Sequence, residues 1–158
     1  MIPTTIEAHL REHHVGFEHH RHAGAATAQA LAEAEHVSGY HVAKPVVVKL
    51  GGQLALAIVS AAERLSLSAL EEATGAEAEL VPETEFARRF EPCEAGAEPA
   101  LSVFGVPIFA DEKFLHDEKL LMPAGTHEDS IVIDTHEWIL CEKVQPIANL
   151  GVRPAGRH

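Results

Sequence analysis

Cations, aromatic rings and cysteines are all scarce in this 158-residue chain, and each scarcity removes a class of function. Lysine and arginine number 12 against 24 aspartates and glutamates, leaving a formal net charge of −12. Phosphate neutralisation supplies most of the affinity of proteins that hold nucleic acid along a basic face, so a broad interface of that kind is excluded and any such contact must be local. One Trp and one Tyr give little material for base-stacking platforms. The acidity itself reads as a solvated surface. Cys93 and Cys141 are the only cysteines, which supports neither a disulfide framework nor a four-cysteine zinc site and fits a reducing compartment. No run approaches the roughly 20 apolar residues of a membrane span, and the opening MIPTTIEAHLREHH lacks the basic segment and long apolar stretch of a secretory signal. The expectation is a soluble cytoplasmic protein without a membrane partner. Catalytic signatures are missing as well: there is no GxSxG, no phosphate loop, no dinucleotide fingerprint and no HExxH.

What is present suits one domain over residues 1–158, with its core in 17–145 and a flexible tail from about 149. Thr4 and Glu7 have capping-box spacing, and Ile6 and Leu10 share a face, which predicts a helix over 4–14. FEHHRH reads as a strand, followed by a helix capped by Thr27 and closed at Ser38-Gly39. Residues 40–50 and 53–60 form a hairpin around Gly51-Gly52. Ser68 and Glu71 suggest a second capping box, Gly75 a helix stop, and 78–81 a strand. PETEFARRF reads as a helix with Phe86 and Phe90 on one face, and EPCEAGAEPA as an irregular loop shaped by its prolines. Strands are expected at 101–104, 107–110 and 119–122 and in SIVIDT, then a helix capped by Thr135. This order predicts an α/β (α+β) domain with a mixed, partly antiparallel sheet or barrel-like core and short flanking helices.

Three places draw chemical interest. Lys44 shares a strand face with Val42, Val46 and Val48, while Lys49 lies on the opposite face beside the glycine turn. Pro45 places the position at a strand start, edge or bulge. A lysine among valines either extends its ammonium to water or meets an anion, and spacing leaves both open. AGTHEDS, residues 124–130, offers Gly125, the Thr126 hydroxyl and His127, but reads equally well as a polar turn. The cluster His13, His14, His19, His20 and His22 lacks a convergent ligand pattern, so no metal and no cofactor are expected.

Taken in order, TAQALAEAEHVSGYHVAKPVVVK, FEPCEAGAEPALSVFGVPIFAD and AGTHEDSIVI resemble the YbaK/prolyl-tRNA synthetase-associated domain family of aminoacyl-tRNA editing proteins, over about residues 17–145. The resemblance implies that family's fold and the hydrolysis of the ester joining a wrong, small amino acid to tRNA. The implied partners are the acceptor end of mischarged tRNA and a synthetase that delivers it. Lys44 matches the family lysine. Gly96–Ala100 matches the glycine-containing loop, and Gly125–His127 the later Gly-x-His turn. This makes Lys44, Gly96, Gly125 and His127 the expected catalytic set, with Ala97, Pro99, Ala100 and Thr126 joining Lys44 against the substrate. In this role Lys44 supplies positive charge, and amides near Gly96 and Gly125 contact the substrate. The loop departs from the family pattern by lacking proline at position 100, and Glu98 adds a negative charge to it. The competing reading is a non-catalytic module of the same fold that binds a nucleotide or a tRNA end.

Overall fold

The computed structural model describes residues 1–154. Helix α1 (Thr4–Glu12) buries Ile6 and Leu10 as their spacing predicts. Its start differs from the expected capping box. Pro3 is the N-cap residue, its carbonyl accepts from the N–H groups of Ile6 and Glu7, and the Glu7 side chain pairs with Arg11. Strand β1 (Phe17–Arg21) leads to α2 (Ala28–Ala34), where the Thr27 hydroxyl accepts from the Ala30 N–H at 3.1 Å. α2 stops before Ser38-Gly39, because Ser38 instead caps a 3-10 turn over Gly39–His41.

The predicted hairpin is present as β2 (Ala43–Leu50) and β3 (Gln53–Ser60). Gly51 and Gly52 have φ of 58° and 84°, the paired positive values that a tight two-residue turn requires. After β4 (Arg64–Leu65), helix α3 (Leu67–Thr74) is capped by Ser66 and not by Ser68, since the Glu71 carboxylate reaches forward to the Ala78 N–H. Strand β5 (Ala78–Leu80) precedes α4 (Glu83–Phe86), a single turn that tightens into a 3-10 turn over Ala87–Phe90. Phe86 and Phe90 meet edge to face at 5.7 Å.

Residues 102–104, expected as part of a strand, form a 3-10 turn. The Ser102 N–H donates to the Glu142 carboxylate at 2.6 Å and the Phe104 ring packs on Phe90, which removes this segment from any ladder. Strands β6 (Ile108–Asp111), β7 (Lys119–Pro123) and β8 (Asp129–Asp134) follow. Helix α5 (Thr135–Cys141) is capped by Asp134, one residue before the predicted Thr135. The chain continues through β9 (Gln145–Ile147) and β10 (Gly151–Val152). Within the tail expected from residue 149, β10 pairs with β4, and Asp111 accepts the Gly151 N–H at 2.6 Å. The rest of that predicted tail, 155–158, lies outside the described residues.

Five strands make a mixed sheet in the order β5-β2-β3-β6-β9, antiparallel around the hairpin and parallel from β3 to β9. β1, β8 and β7 form a separate antiparallel sheet. Neither sheet closes into a barrel among the described residues. Ala43, Val47, Leu56 and Ile58 on one hairpin face share the main core with Leu120, Met122, Ile131, Ile133 and Trp138. The other face packs Val48, Ala57 and Val59 with Leu70, Phe109 and Leu150.

Pro45 sits opposite Ile58 in this hairpin. Ala61 donates to Val42, so hydrogen-bonded pairs alternate from Val42 and put the Pro45 nitrogen on the side of β2 away from β3. β5 reaches only Val48–Leu50, and Val42 bridges to Leu121, so Ala43–Val47 form an open edge between those contacts. The missing proline donor costs no ladder bond there.

Candidate active site

The 91–100 loop and the 124–128 turn are tied together by main-chain hydrogen bonds. Glu94 donates to the Gly125 carbonyl and Gly125 to the Ala97 carbonyl, both at 2.8 Å. The chain entering α2 is the third member: Ala25 donates to the His127 carbonyl at 2.7 Å, and His22 to Glu128 at 3.0 Å. Two of the predicted loops thus converge, and residues 22–27 join them without any sequence signal for that role.

Both expected glycines are required by the protein's own packing. Gly96 has φ 79°, and a Cβ there would lie 2.5 Å from the Ala26 carbonyl oxygen. Gly125 has φ 95°, and its Cβ would lie 2.7 Å from the Pro3 ring. Their amides are also engaged, Gly96 with the Glu98 carboxylate at 3.1 Å and Gly125 with Ala97. Both of these N–H groups are thus taken up inside the protein. They brace the loops.

Glu98 does not project its charge toward solvent. Its side chain turns back over its own loop, is buried with Ala97, Pro99 and Ala100, and burial pushes its carboxyl pKa up despite the loop N–H groups around it. Cys93 lies in the same loop, and burial, then the nearby Glu98, raises its thiol pKa to about 12. It is a packing residue and not a thiolate nucleophile at neutral pH.

His127 is a latch between the two loops. Its N–H donates to the Glu94 carboxylate at 2.7 Å, and Nε2 is paired with the Ala95 carbonyl oxygen. A carbonyl can only accept, so Nε2 carries the proton and Nδ1 is the remaining acceptor of the neutral ring. The Thr126 hydroxyl donates to Asp129 at 2.6 Å and accepts from the Glu128 N–H. Asp129 also receives His19 and the Met1 ammonium. Burial pushes the Asp129 carboxyl up, but these bonds outweigh it and hold its pKa at about 2.

Lys44 lies at the open edge of β2, opposite Val59. Alternation puts its side chain on the face of Val42, which packs with Ala25 and Ala28 of the segment that meets both loops. No hydrogen bond joins Lys44 to either loop. Its half-buried ammonium donates to the Glu63 carbonyl, and burial lowers its pKa while the Glu63 charge opposes that shift. Of the two readings that spacing left open, neither is met in full: the nitrogen finds a carbonyl dipole beside an acidic side chain. Lys49 differs, being paired with Glu85 near the hairpin turn. Arg89 is bound to the carbonyls of Phe104 and Gly105.

The histidines of the N-terminal cluster find separate partners. His13 meets the His9 carbonyl, His19 meets Asp129, His20 meets Glu35 and His22 meets the Ala23 carbonyl. Among the described residues no three His, Cys, Asp or Glu side chains gather as a metal site.

A family profile described as an aminoacyl-tRNA editing domain matches residues 22–140, which include Lys44 and both loops. The chain belongs to the aminoacyl-tRNA editing domain family. The fold of this editing domain recurs in solved structures at low identity. A hypothetical protein matches with a TM-score of 0.81 and 14% identity, over 90% of this chain and 98% of its own. A protein described as a "putative trans-editing enzyme for prolyl tRNA synthetase" matches with a TM-score of 0.75 and 18% identity, over 94% and 99%. A "putative signal transduction protein" from Marinobacter aquaeolei VT8 matches with a TM-score of 0.73 and 17% identity, over 96% of this editing domain but 31% of its own length. No curated protein matches by sequence. No helix among the described residues is long and apolar enough to cross a membrane.

Proposed function

We propose that this editing domain is a trans-acting deacylase that hydrolyses the ester of tRNA mischarged with a small amino acid. The observation that carries the reading is the half-buried Lys44 at an open strand edge, on the face whose packing reaches the segment that clamps the two loops. An aminoacyl ester is already activated, so orientation of water or the neighbouring ribose hydroxyl, with stabilisation of the developing carbonyl charge, is sufficient chemistry. An ammonium has three donors and Lys44 gives one to Glu63, leaving two for a terminal phosphate or the ester oxygen. Lys44 is the catalytic residue of this proposal. Gly96 and Gly125 hold the loops closed, and His127 fixes their spacing through Nε2 while Nδ1 remains for the aminoacyl group or a water.

Ala97, Pro99 and Ala100 are small, and a pocket bordered by residues of that size rejects large side chains sterically. Discrimination among small ones is limited to about 1–3 kcal/mol per methylene. A domain with a net charge of −12 fits brief capture of a single-stranded acceptor end by a local cation, with a synthetase as the source of the substrate. This activity places it in translation quality control in the cytoplasm.

The test is a panel of tRNAs mischarged with Ala, Ser, Cys and larger residues. Deacylation confined to the small ones is expected, and Lys44→Ala should remove most of it while Lys49→Ala leaves it intact. Failure to deacylate any member, at enzyme levels where an established deacylase works, would leave the binding-module reading in its place.

A further inference from the structure

Lys44 does not stand alone. Its ammonium is held by the carbonyl of Glu63, a residue in the turn between β3 and β4 that no sequence motif marks. The Glu63 side chain is 5% exposed and is fixed from two sides: the Ser60 hydroxyl donates to it at 2.9 Å, and the Lys113 ammonium forms an ion pair with it. Lys113 is itself fixed, donating through Nζ to the Gly151 carbonyl at 3.1 Å and through its N–H to Asp111 at 2.9 Å. Asp111, also buried, accepts the Gly151 N–H. A Cβ on Gly151 would stand 2.9 Å from the Glu63 carboxylate and 3.0 Å from that of Asp111, so β10 closes tightly over the cluster. Ser60, Glu63, Asp111 and Lys113 line a cavity of about 170 Å³ together with Tyr40, His41, Phe114 and Asp117.

The geometry points to Glu63 as a positioning residue for Lys44, with Lys113 setting how much of its negative charge Lys44 experiences. The carbonyl fixes where the ammonium sits, and the carboxylate behind it favours the protonated state that the proposed reaction needs. Lys113 counters that carboxylate. The charged groups around the device are Glu63, Lys113 and Asp111, with His41 and Asp117, 3.4 Å apart, lining the same cavity. Burial lowers the Lys44 pKa and Glu63 resists the fall, which agrees with this arrangement.

Two variants that break the same Glu63–Lys113 ion pair should therefore act in opposite directions. Glu63→Gln keeps a partner for Ser60 but removes the negative charge, so Lys44 loses its proton at lower pH. Lys113→Met exposes Lys44 to an uncompensated carboxylate, so Lys44 holds its proton to higher pH. The Glu63→Gln displacement should be about half a pH unit or more, as expected from removing one charge near a half-buried site, and the Lys113→Met displacement smaller, because Lys113 acts on Lys44 by way of that carboxylate. The primary readout is titration of the folded protein after reductive 13C-methylation, with the Lys44 signal assigned by its loss in Lys44→Arg. The second is the basic limb of the deacylation profile, corrected for spontaneous hydrolysis, which should move the same way. The kinetic part rests on the deacylase reading and the titration does not. Opposite shifts in the absence of any deacylation would overturn that reading alone. Shifts in the same direction, or no shift in either folded variant, would overturn the assignment of Glu63.

Discussion

Replacing Gly96 by alanine tests whether the two loops are braced as described. Two effects add at this site. A φ of 79° costs an alanine about 1 kcal/mol, and the new Cβ meets the Ala26 carbonyl oxygen at 2.5 Å. Relief to about 3 Å requires the loop to back away by roughly half an ångström, against a backbone atom that cannot rotate aside. That movement strains the Glu94–Gly125 and Gly125–Ala97 bonds, each contributing about 1 kcal/mol. The sum is about 3 kcal/mol, or a fall in Tm of roughly 6–12 °C for a chain of this size. Gly75 supplies the control, because its φ of 71° carries the same conformational cost with open space around the added Cβ. Gly75→Ala should cost about 1 kcal/mol. Urea titrations of the three proteins, compared at equal m-values, measure the difference directly. Equal losses in the two variants would show that Gly96 is present for its dihedral angle alone, and that the close approach to Ala26 carries no energy.

Two further outcomes follow from buried carboxylates. Asp129 has a folded pKa of about 2, below its unfolded value near 3.9, so its stabilisation is present above about pH 4 and is lost as pH falls through 2. Asp129→Asn should lower stability at pH 7 by about 1–3 kcal/mol and flatten the acid limb of a stability-against-pH curve between those values, and an unchanged limb would refute this. Glu98 behaves oppositely: its folded pKa is raised, so the ionised form is disfavoured by folding and stability rises as pH falls through that raised value. Glu98→Gln, which retains an acceptor for the Gly96 N–H, should leave stability at pH 8 unchanged or higher by up to about 1 kcal/mol, whereas a loss at pH 8 that disappears at pH 5 would reverse the assignment.

The elements with strong local physics were legible in the sequence. Gly51-Gly52 between β-rich runs specified the hairpin, Thr27 specified a cap, and the spacing of Ile6 and Leu10 specified a buried helix face. Caps chosen between near neighbours went astray by one or two residues, as at Asp134 and Ser66, because adjacent oxygens compete and tertiary geometry selects one. β10 was illegible: two residues following Asn149-Leu150 form a strand only because Asp111, Lys113 and β4 await them from far earlier in the chain. The site divides the same way. Family motifs marked Lys44 and the two loops, yet Glu63 and the 22–27 segment fix them through carbonyls and amides that every residue possesses, and the Glu94 carboxylate and Lys113 ammonium act only because the fold brings them there from distant sequence.

The open edge of β2 poses a hazard that the catalytic reading does not address. Unpaired strand edges invite a second strand, from another copy or from a nascent chain, to complete the sheet. Between the Val42–Leu121 bridge and the reach of β5, that invitation is withdrawn by Pro45, which presents carbon where an incoming carbonyl needs a hydrogen. Pro45 therefore lets this edge of β2 stay unpaired while refusing a strand of protein, and Pro45→Val would be a gain in β propensity obtained at the expense of solubility.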